Sequence, residues 1–255
     1  MILPREEWHL DTQHLGQRVL LYDSLDSTST QAAALADDPA NEGVVILADE
    51  QTAGRGQYGR TWSCERGVGV LLSVLLFPPT ALRRPVILAA WAADAVCETI
   101  HASTGLQAKI KWPNDVLIRG RKVCGILIEQ NRGTVLGIGL NLNQSADWFT
   151  AAGLPQGGSL ALFADRSFDC HAMARLLIGQ LDVGYARLCA GDFEPLQRRW
   201  KRRLGLVGKP VLVECHDVHY RGRLRELDWE GLDLEIADGE TIHLIPETVR
   251  HLTRA

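Results

Sequence analysis

Two apolar runs flank one glycine-rich stretch, and their order restricts the fold more than any other feature of the chain. VVILA (44–48) is a short β-branched run and reads as a buried strand. Five residues, DEQTA, separate it from GRGQYG at 54–59. RTWSCERG follows, then VGVLLSVLLF (68–77), a second buried strand stopped by Pro78 and Pro79. GRGQYG fits the G-x-G-x-x-G spacing of a dinucleotide-binding turn. That turn needs a strand directly before it, a helix directly after it, and an acidic residue about 20 positions on for the ribose. Here a strand follows, and the region near 79 holds Pro78, Pro79 and Thr80. The stretch is a loop between strands, not the mouth of a nucleotide-binding βαβ unit. GIGLNL (137–142) starts in the same way but lacks the third glycine.

The rest of the pattern adds more sheet and several helices. RVLLYDSL (18–25) reads as a strand, and STSTQAAALADD as a helix capped by Ser or Thr. Residues 84–104 are Ala-rich and carry no internal glycine, so they read as a core helix ending at Gly105. AKIKW (108–112) alternates like a strand, and VLIRGRKVCGILIEQ reads as a hairpin turning at 119–121. TVLGIGLNL (134–142) is a further strand, while HAMARLLIGQLDVGYARLCAG and DFEPLQRRWKRR are helical. After 205 the pattern alternates with period two between Gly or Asp turns, as in an SH3-like barrel. The expected fold is α+β: a mixed sheet with helices on one face over 1–205, and a small C-terminal β-barrel over 206–255.

Composition excludes several roles. The net charge of −4 gives no global basic field for nucleic acid. The one basic cluster, Arg198, Arg199, Lys201, Arg202 and Arg203, reads as a solvated helix end. MILPREEWHL is not organised as a signal peptide, and the apolar runs read as too short or too interrupted to cross a bilayer. Six cysteines without C-x-x-C suggest reduced thiols and a cytoplasmic setting. Cys215, His216 and His219 lie close together, but neighbouring strand residues point to opposite faces, so no metal site is expected. There is no GxxxxGK[ST] to hold ATP in a P-loop, and no G-x-S-x-G.

The glycine loop carries Arg55 and Arg60. Glycine lets backbone N–H groups approach a ligand, and arginine supplies bidentate donors for carboxylate or phosphate. KWPND (111–115), RKVCGILIE (121–129) and GIGLNLN (137–143) add polar groups at strand ends. Singly, each has a plain explanation: Trp112 and Pro113 as packing and a turn, Lys122 as a solvated hairpin lysine, Asn141 as a strand-end cap.

Together and in this order, DST (26–28), EQTAGRGQYGRTW, KWPND, RKVCGILIE and GIGLNLN resemble the biotin protein ligases, also called biotin–[acetyl-CoA-carboxylase] ligases. The resemblance covers about 20–200 and implies a class II synthetase-like catalytic domain. It implies an enzyme that joins biotin to ATP, with magnesium, as biotinyl-5′-adenylate. A lysine of a biotin carboxyl carrier protein then attacks the mixed anhydride. By resemblance, Ser27, Thr28 and Gln51 bind the ureido ring, and Gly54, Arg55, Gly56 and Gln57 close over biotin and phosphate. Lys122 sits at the carboxyl and α-phosphate. Asp115 lies near the reacting lysine, where it orients or deprotonates it and can touch magnesium. Trp112, Asn114 and Asn141 line the nucleotide site, with Lys111 as a further phosphate contact. Homodimers are common in the family; neither DNA nor membrane is an expected partner. With no room for a winged helix before residue 18, the ligase-only form is expected.

Two departures stand out. The better-known loop is GRGRRG, with arginines where this chain has Gln57 and Tyr58, and the family usually has Asn in place of Ser29. Glu247 and Arg250 fall near the family's C-terminal nucleotide contacts at an imperfect spacing and are not assigned. Two other readings are a lipoate–protein ligase or octanoyltransferase of the same superfold, and a non-catalytic biotin sensor. Lys122 and Asp115, both present, argue against the sensor.

Overall fold

The computed structural model describes residues 2–216, 218–237 and 239–255. Of the turns expected after 205, those at Asp217 and Asp238 lie outside these residues. The large sheet holds β1 (Glu6–Trp8), β2 (Val19–Tyr22), β3 (Val45–Ala48), β4 (Gly69–Leu76), β5 (Lys109–Lys111), β6 (Asp115–Ile118), β7 (Arg121–Gln130) and β8 (Thr134–Asn141). Their spatial order is β1-β2-β3-β4-β8-β7-β6-β5. Only β2 and β3 pair in parallel, so the sheet is mixed. Central β4 and β8 are buried at every position, as their largely apolar sequences require.

Helices cover both faces of this sheet, not one. Val19, Leu21, Val45, Leu47, Leu72 and Val74 pack on the side of α2 (Pro85–Thr104) and α5 (Cys170–Cys189). The alternate residues Leu20, Tyr22, Ile46 and Leu75 form a separate core with Ala32 of α1 (Thr28–Ala33). Strands with two buried faces need two covers. The alanines after Ser27 supply the second one; Ser27 caps α1 by accepting from the Ser29 N–H. α2 runs 20 residues to Gly105 at φ 72° and is long and apolar enough to cross a bilayer. That corrects the sequence reading, but 72% of its apolar window is buried in this core.

α3 (Ala146–Ala151) and α4 (Leu160–Ala164) follow β8, and α6 (Glu194–Leu204) leads into the second sheet. The basic cluster on α6 is not simply a solvated end. Arg199 and Arg203 both pair with Asp94, a buried carboxylate of α2, and Arg203 also reaches Glu98. A carboxylate buried inside the fold requires such partners.

The second sheet is antiparallel: β9 (Pro210–Cys215), β10 (Val218–Leu227), β11 (Leu232–Glu235), β12 (Thr241–Leu244) and β13 (Val249–Arg254), in the order β12-β11-β10-β9-β13. It joins the large sheet through tryptophan. Trp200 of α6 lies between Trp112, at 5.8 Å between ring centres, and Trp229, at 4.9 Å. The Trp112 indole N–H donates to the Val249 carbonyl at 2.9 Å. Arg84, just before α2, makes two hydrogen bonds to Glu247, at 3.0 and 3.1 Å.

Candidate active site

A cavity of about 430 Å³ opens over the middle of the large sheet, on the α1 side. Its floor is built by omission. Gly125 of β7 pairs with Gly139 of β8, and Gly137 pairs with Leu127. Trp62 takes the space that side chains at Gly125 and Gly139 would fill: a Cβ at Gly139 would lie 2.2 Å from the indole, and one at Gly125 2.7 Å. Trp62 therefore lies flat against a bare patch of sheet as one apolar wall.

One end of the cavity is polar. Thr28 donates to the Gln51 Oε1 through both its N–H, at 2.7 Å, and its hydroxyl, at 2.9 Å. Ser73, fully buried in β4, bonds Thr28 at 2.8 Å and Ser29 at 3.1 Å. Ser27 and Gln51 join the same wall. Sequence reasoning missed Ser73; its signal was the lone polar residue inside VGVLLSVLLF.

The other end is ionic. The Lys122 Nζ lies 2.5 Å from the Asp115 Oδ1 and 5.6 Å above the Trp62 ring. A bulge makes this pair possible. Val116 pairs with Cys124 but Leu117 pairs with Lys122, so one residue is looped out between them. In unbroken alternation Lys122 would face away from Gly125; with the bulge it reaches the face that carries Asp115 and Gly125. Residues 153–158, also missed from sequence, brace this corner. The Lys122 N–H donates to the Gln156 carbonyl at 2.8 Å, and its carbonyl accepts from Gly158 at 2.9 Å. Arg55, Arg60, Lys111 and Lys122 stand around the cavity against one carboxylate, Asp115. The surplus of cations suits a ligand with several negative charges.

The other sequence candidates gather here with differing duties. Gly54 is at the root of the loop rather than on the wall; a Cβ there would meet the Trp62 carbonyl at 2.3 Å. Gly56 and Gln57 are on the wall. Arg55 is held by Glu129 of β7 at 2.7 Å. Asn114 lines the cavity while its amide donates to the Ile126 carbonyl at 2.5 Å. Asn141 donates to the Gly158 carbonyl at 3.0 Å and accepts from Gln144 at 3.2 Å. Trp112 forms part of the wall from a buried position, its N–H already committed to Val249. Beneath this corner Cys124 is buried, which pushes its thiol well above the ordinary range. Burial likewise raises Cys64, near Gln144, to about 12. Neither thiol is an available nucleophile at neutral pH.

The sequence profile of the biotin/lipoate A/B protein ligase family matches residues 21–144, which include α1, the glycine loop, Asp115 and Lys122. The biotin–[acetyl-CoA-carboxylase] ligase of Mycobacterium tuberculosis is 32% identical over 238 residues, covering 86% of either chain. The chain belongs to the biotin protein ligases. The bifunctional ligase/repressor BirA of Bacillus subtilis is 33% identical over 237 residues, 90% of this ligase and 73% of that protein. In fold, the ligase is similar to the biotin protein ligase from Aquifex aeolicus in complex with biotin and ATP. That match has a TM-score of 0.79 at 22% identity, over 93% of this chain and 99% of that one.

Proposed function

We propose that the chain is a biotin–[acetyl-CoA-carboxylase] ligase that activates biotin with ATP and transfers it to a lysine of a biotin-accepting carboxylase subunit. The observation that carries this reading is the cavity itself, with a buried hydroxyl–amide cluster at one end and cations around one carboxylate at the other. In the first step a biotin carboxylate oxygen attacks the α-phosphorus of ATP, forming biotinyl-5′-AMP and releasing pyrophosphate. In the second, the acceptor lysine amine attacks the acyl carbon, the C–O bond to phosphate breaks, and AMP leaves.

The residue roles follow from charge and reach. Ser27, Thr28 and Gln51 bond the polar head of biotin, with Ser73 buried behind Thr28 to hold its hydroxyl, while Trp62 and the bare glycine floor take its apolar ring and chain. A buried polar head read in this way discriminates strongly against an analogue that leaves donors unpaired. Lys122 keeps two N–H groups beyond its bond to Asp115, and these hold the carboxylate and α-phosphate oxygens together as charge shifts between them. Asp115 fixes Lys122 and is the group available to take the proton from the acceptor amine. Magnesium enters as its complex with ATP. Arg55 exchanges Glu129 for the substrate anion, and Arg60 and Lys111 face the remaining phosphates. Asn114 and Asn141 act by holding strand ends and the 158 loop in place beside the nucleotide. Six free thiols support a reducing, cytoplasmic setting.

The test is pyrophosphate exchange into ATP with biotin, with lipoate, and with no acid. Biotin-dependent exchange is expected. Exchange with lipoate alone would overturn the substrate but keep the mechanism, and no exchange from folded protein would overturn both.

A further inference from the structure

The glycine loop and the second sheet meet at two backbone irregularities. Tyr58, in the loop, is held at φ 57° and ψ 37°, a left-handed conformation that side chains other than glycine rarely adopt. Arg250 stands at a bulge: Val249 pairs with Cys215 and His251 with Glu214, leaving Arg250 without a partner in the ladder. Bulges beside active sites commonly re-aim a side chain. Here the Arg250 guanidinium lies over the Tyr58 ring, 4.9 Å from its centre. Glu214 flanks Arg250 at 4.0 Å, and the adjacent His251 lines the cavity. Tyr58 is 57% exposed, and the cation over the ring of this strained turn comes from another sheet.

We propose that Tyr58 and Arg250 form a cation–π clamp that fastens the glycine loop to the second sheet across the cavity mouth, making both positioning residues for the adenylate. Neither needs to touch substrate. Arg250 acts through Tyr58, and Tyr58 acts by keeping Gly56 and Gln57 at the cavity wall. The clamp offsets the neutral Gln57: a loop with one fewer cation for the phosphate is instead ordered in advance. An arginine at 58 would face Arg250 as a like charge and abolish the contact. The effect on adenylate rests on the ligase reading; the clamp itself does not.

The test therefore has two arms, applied to Tyr58→Ala, Arg250→Ala, the double variant and Tyr58→Phe. Hydrogen exchange in the ligand-free protein follows the loop N–H groups of Gly56, Arg60 and Trp62, which bond the carbonyls of Arg60, Gln57 and Gly54. Each alanine variant is expected to speed exchange about two- to fivefold, the size of an exposed cation–π contact. The double variant is expected to do no more than either single one, and Tyr58→Phe to match the parent. In the second arm, release of preformed biotinyl-adenylate is expected to accelerate by the same factor with the same non-additivity, while thermal midpoints stay unchanged. Additive effects, or a phenylalanine that behaves like alanine, would overturn the clamp. Unequal effects on adenylate release, with Arg250→Ala acting also on the Tyr58→Ala background, would show that Arg250 meets the nucleotide directly. Failure to form adenylate in the parent would sink the ligase reading and leave the exchange arm to decide the clamp.

Discussion

At the scale of single residues, the site depends on charge held at short range. Lys122→Ala removes the cation proposed to hold carboxylate and phosphate together and leaves Asp115 in place. Pyrophosphate exchange and transfer to the acceptor should both fall roughly a hundredfold or more. The pair is partly exposed, so the stability change should remain within about 1 kcal/mol; a variant retaining full activity would remove Lys122 from the mechanism. Gln57→Arg adds a bidentate donor at the cavity wall and should slow escape of the adenylate, which a chase of preloaded protein measures. Lys122 was visible in RKVCGILIE because its spacing is part of a larger pattern. Its route to Asp115 was not, since simple alternation puts Lys122 on the wrong face and only the bulge corrects it. Ser73 was hidden because one serine in an apolar strand reads as incidental until Thr28 and Ser29 are seen against it.

At the scale of elements, β7 and β8 make the floor by lacking side chains at Gly125 and Gly139. Gly139→Ala puts a methyl group 2.2 Å from the Trp62 ring as it stands. Either the ring lifts or the strands part, at about 1–3 kcal/mol for such overpacking. The KM for biotin should rise about tenfold or more, with a lower thermal midpoint and unchanged secondary structure by circular dichroism. Edge strand β12 offers a pH prediction. Asp233 hydrogen-bonds His243 across from β11 and raises the imidazole above its usual 6.5. A raised pKa means stability that is fully present below about pH 6.5 and lost as pH rises through the elevated value. Unfolding midpoints of the parent and His243→Gln should differ at pH 6 and converge at pH 9; a constant difference would contradict the pairing. Strand and helix positions were largely legible, because buried runs such as VVILA and the Ala-rich 84–104 segment carry their own period. The two-sided covering of the sheet was not: α1 is short, and its alanines do not reveal which face they meet.

At the scale of the whole molecule, the sequence pattern changes after residue 205, but the apolar packing runs across that point. One apolar core runs from Trp91 and Leu136 through Trp112 and Trp200 to Leu224 and Leu234. The two sheets should therefore melt together, with far-ultraviolet and near-ultraviolet signals giving one coincident transition. Two separated transitions would show residues 206–255 to be an independent unit. This continuity was beyond the sequence, as were the Asp94–Arg199–Arg203 contacts, because both join residues about a hundred positions apart.

Trp62 carries a further consequence. Its indole N–H is buried and has no hydrogen-bond partner among the described residues, and its ring lies at the cavity wall beside Lys122. Indole emission responds to hydrogen bonding and to nearby charge. Replacing the other six tryptophans with phenylalanine, or subtracting the signal of a Trp62→Phe variant, would isolate a native optical probe at the proposed substrate cavity. Stopped-flow mixing could then time biotin entry and adenylate formation separately, with no label attached to either.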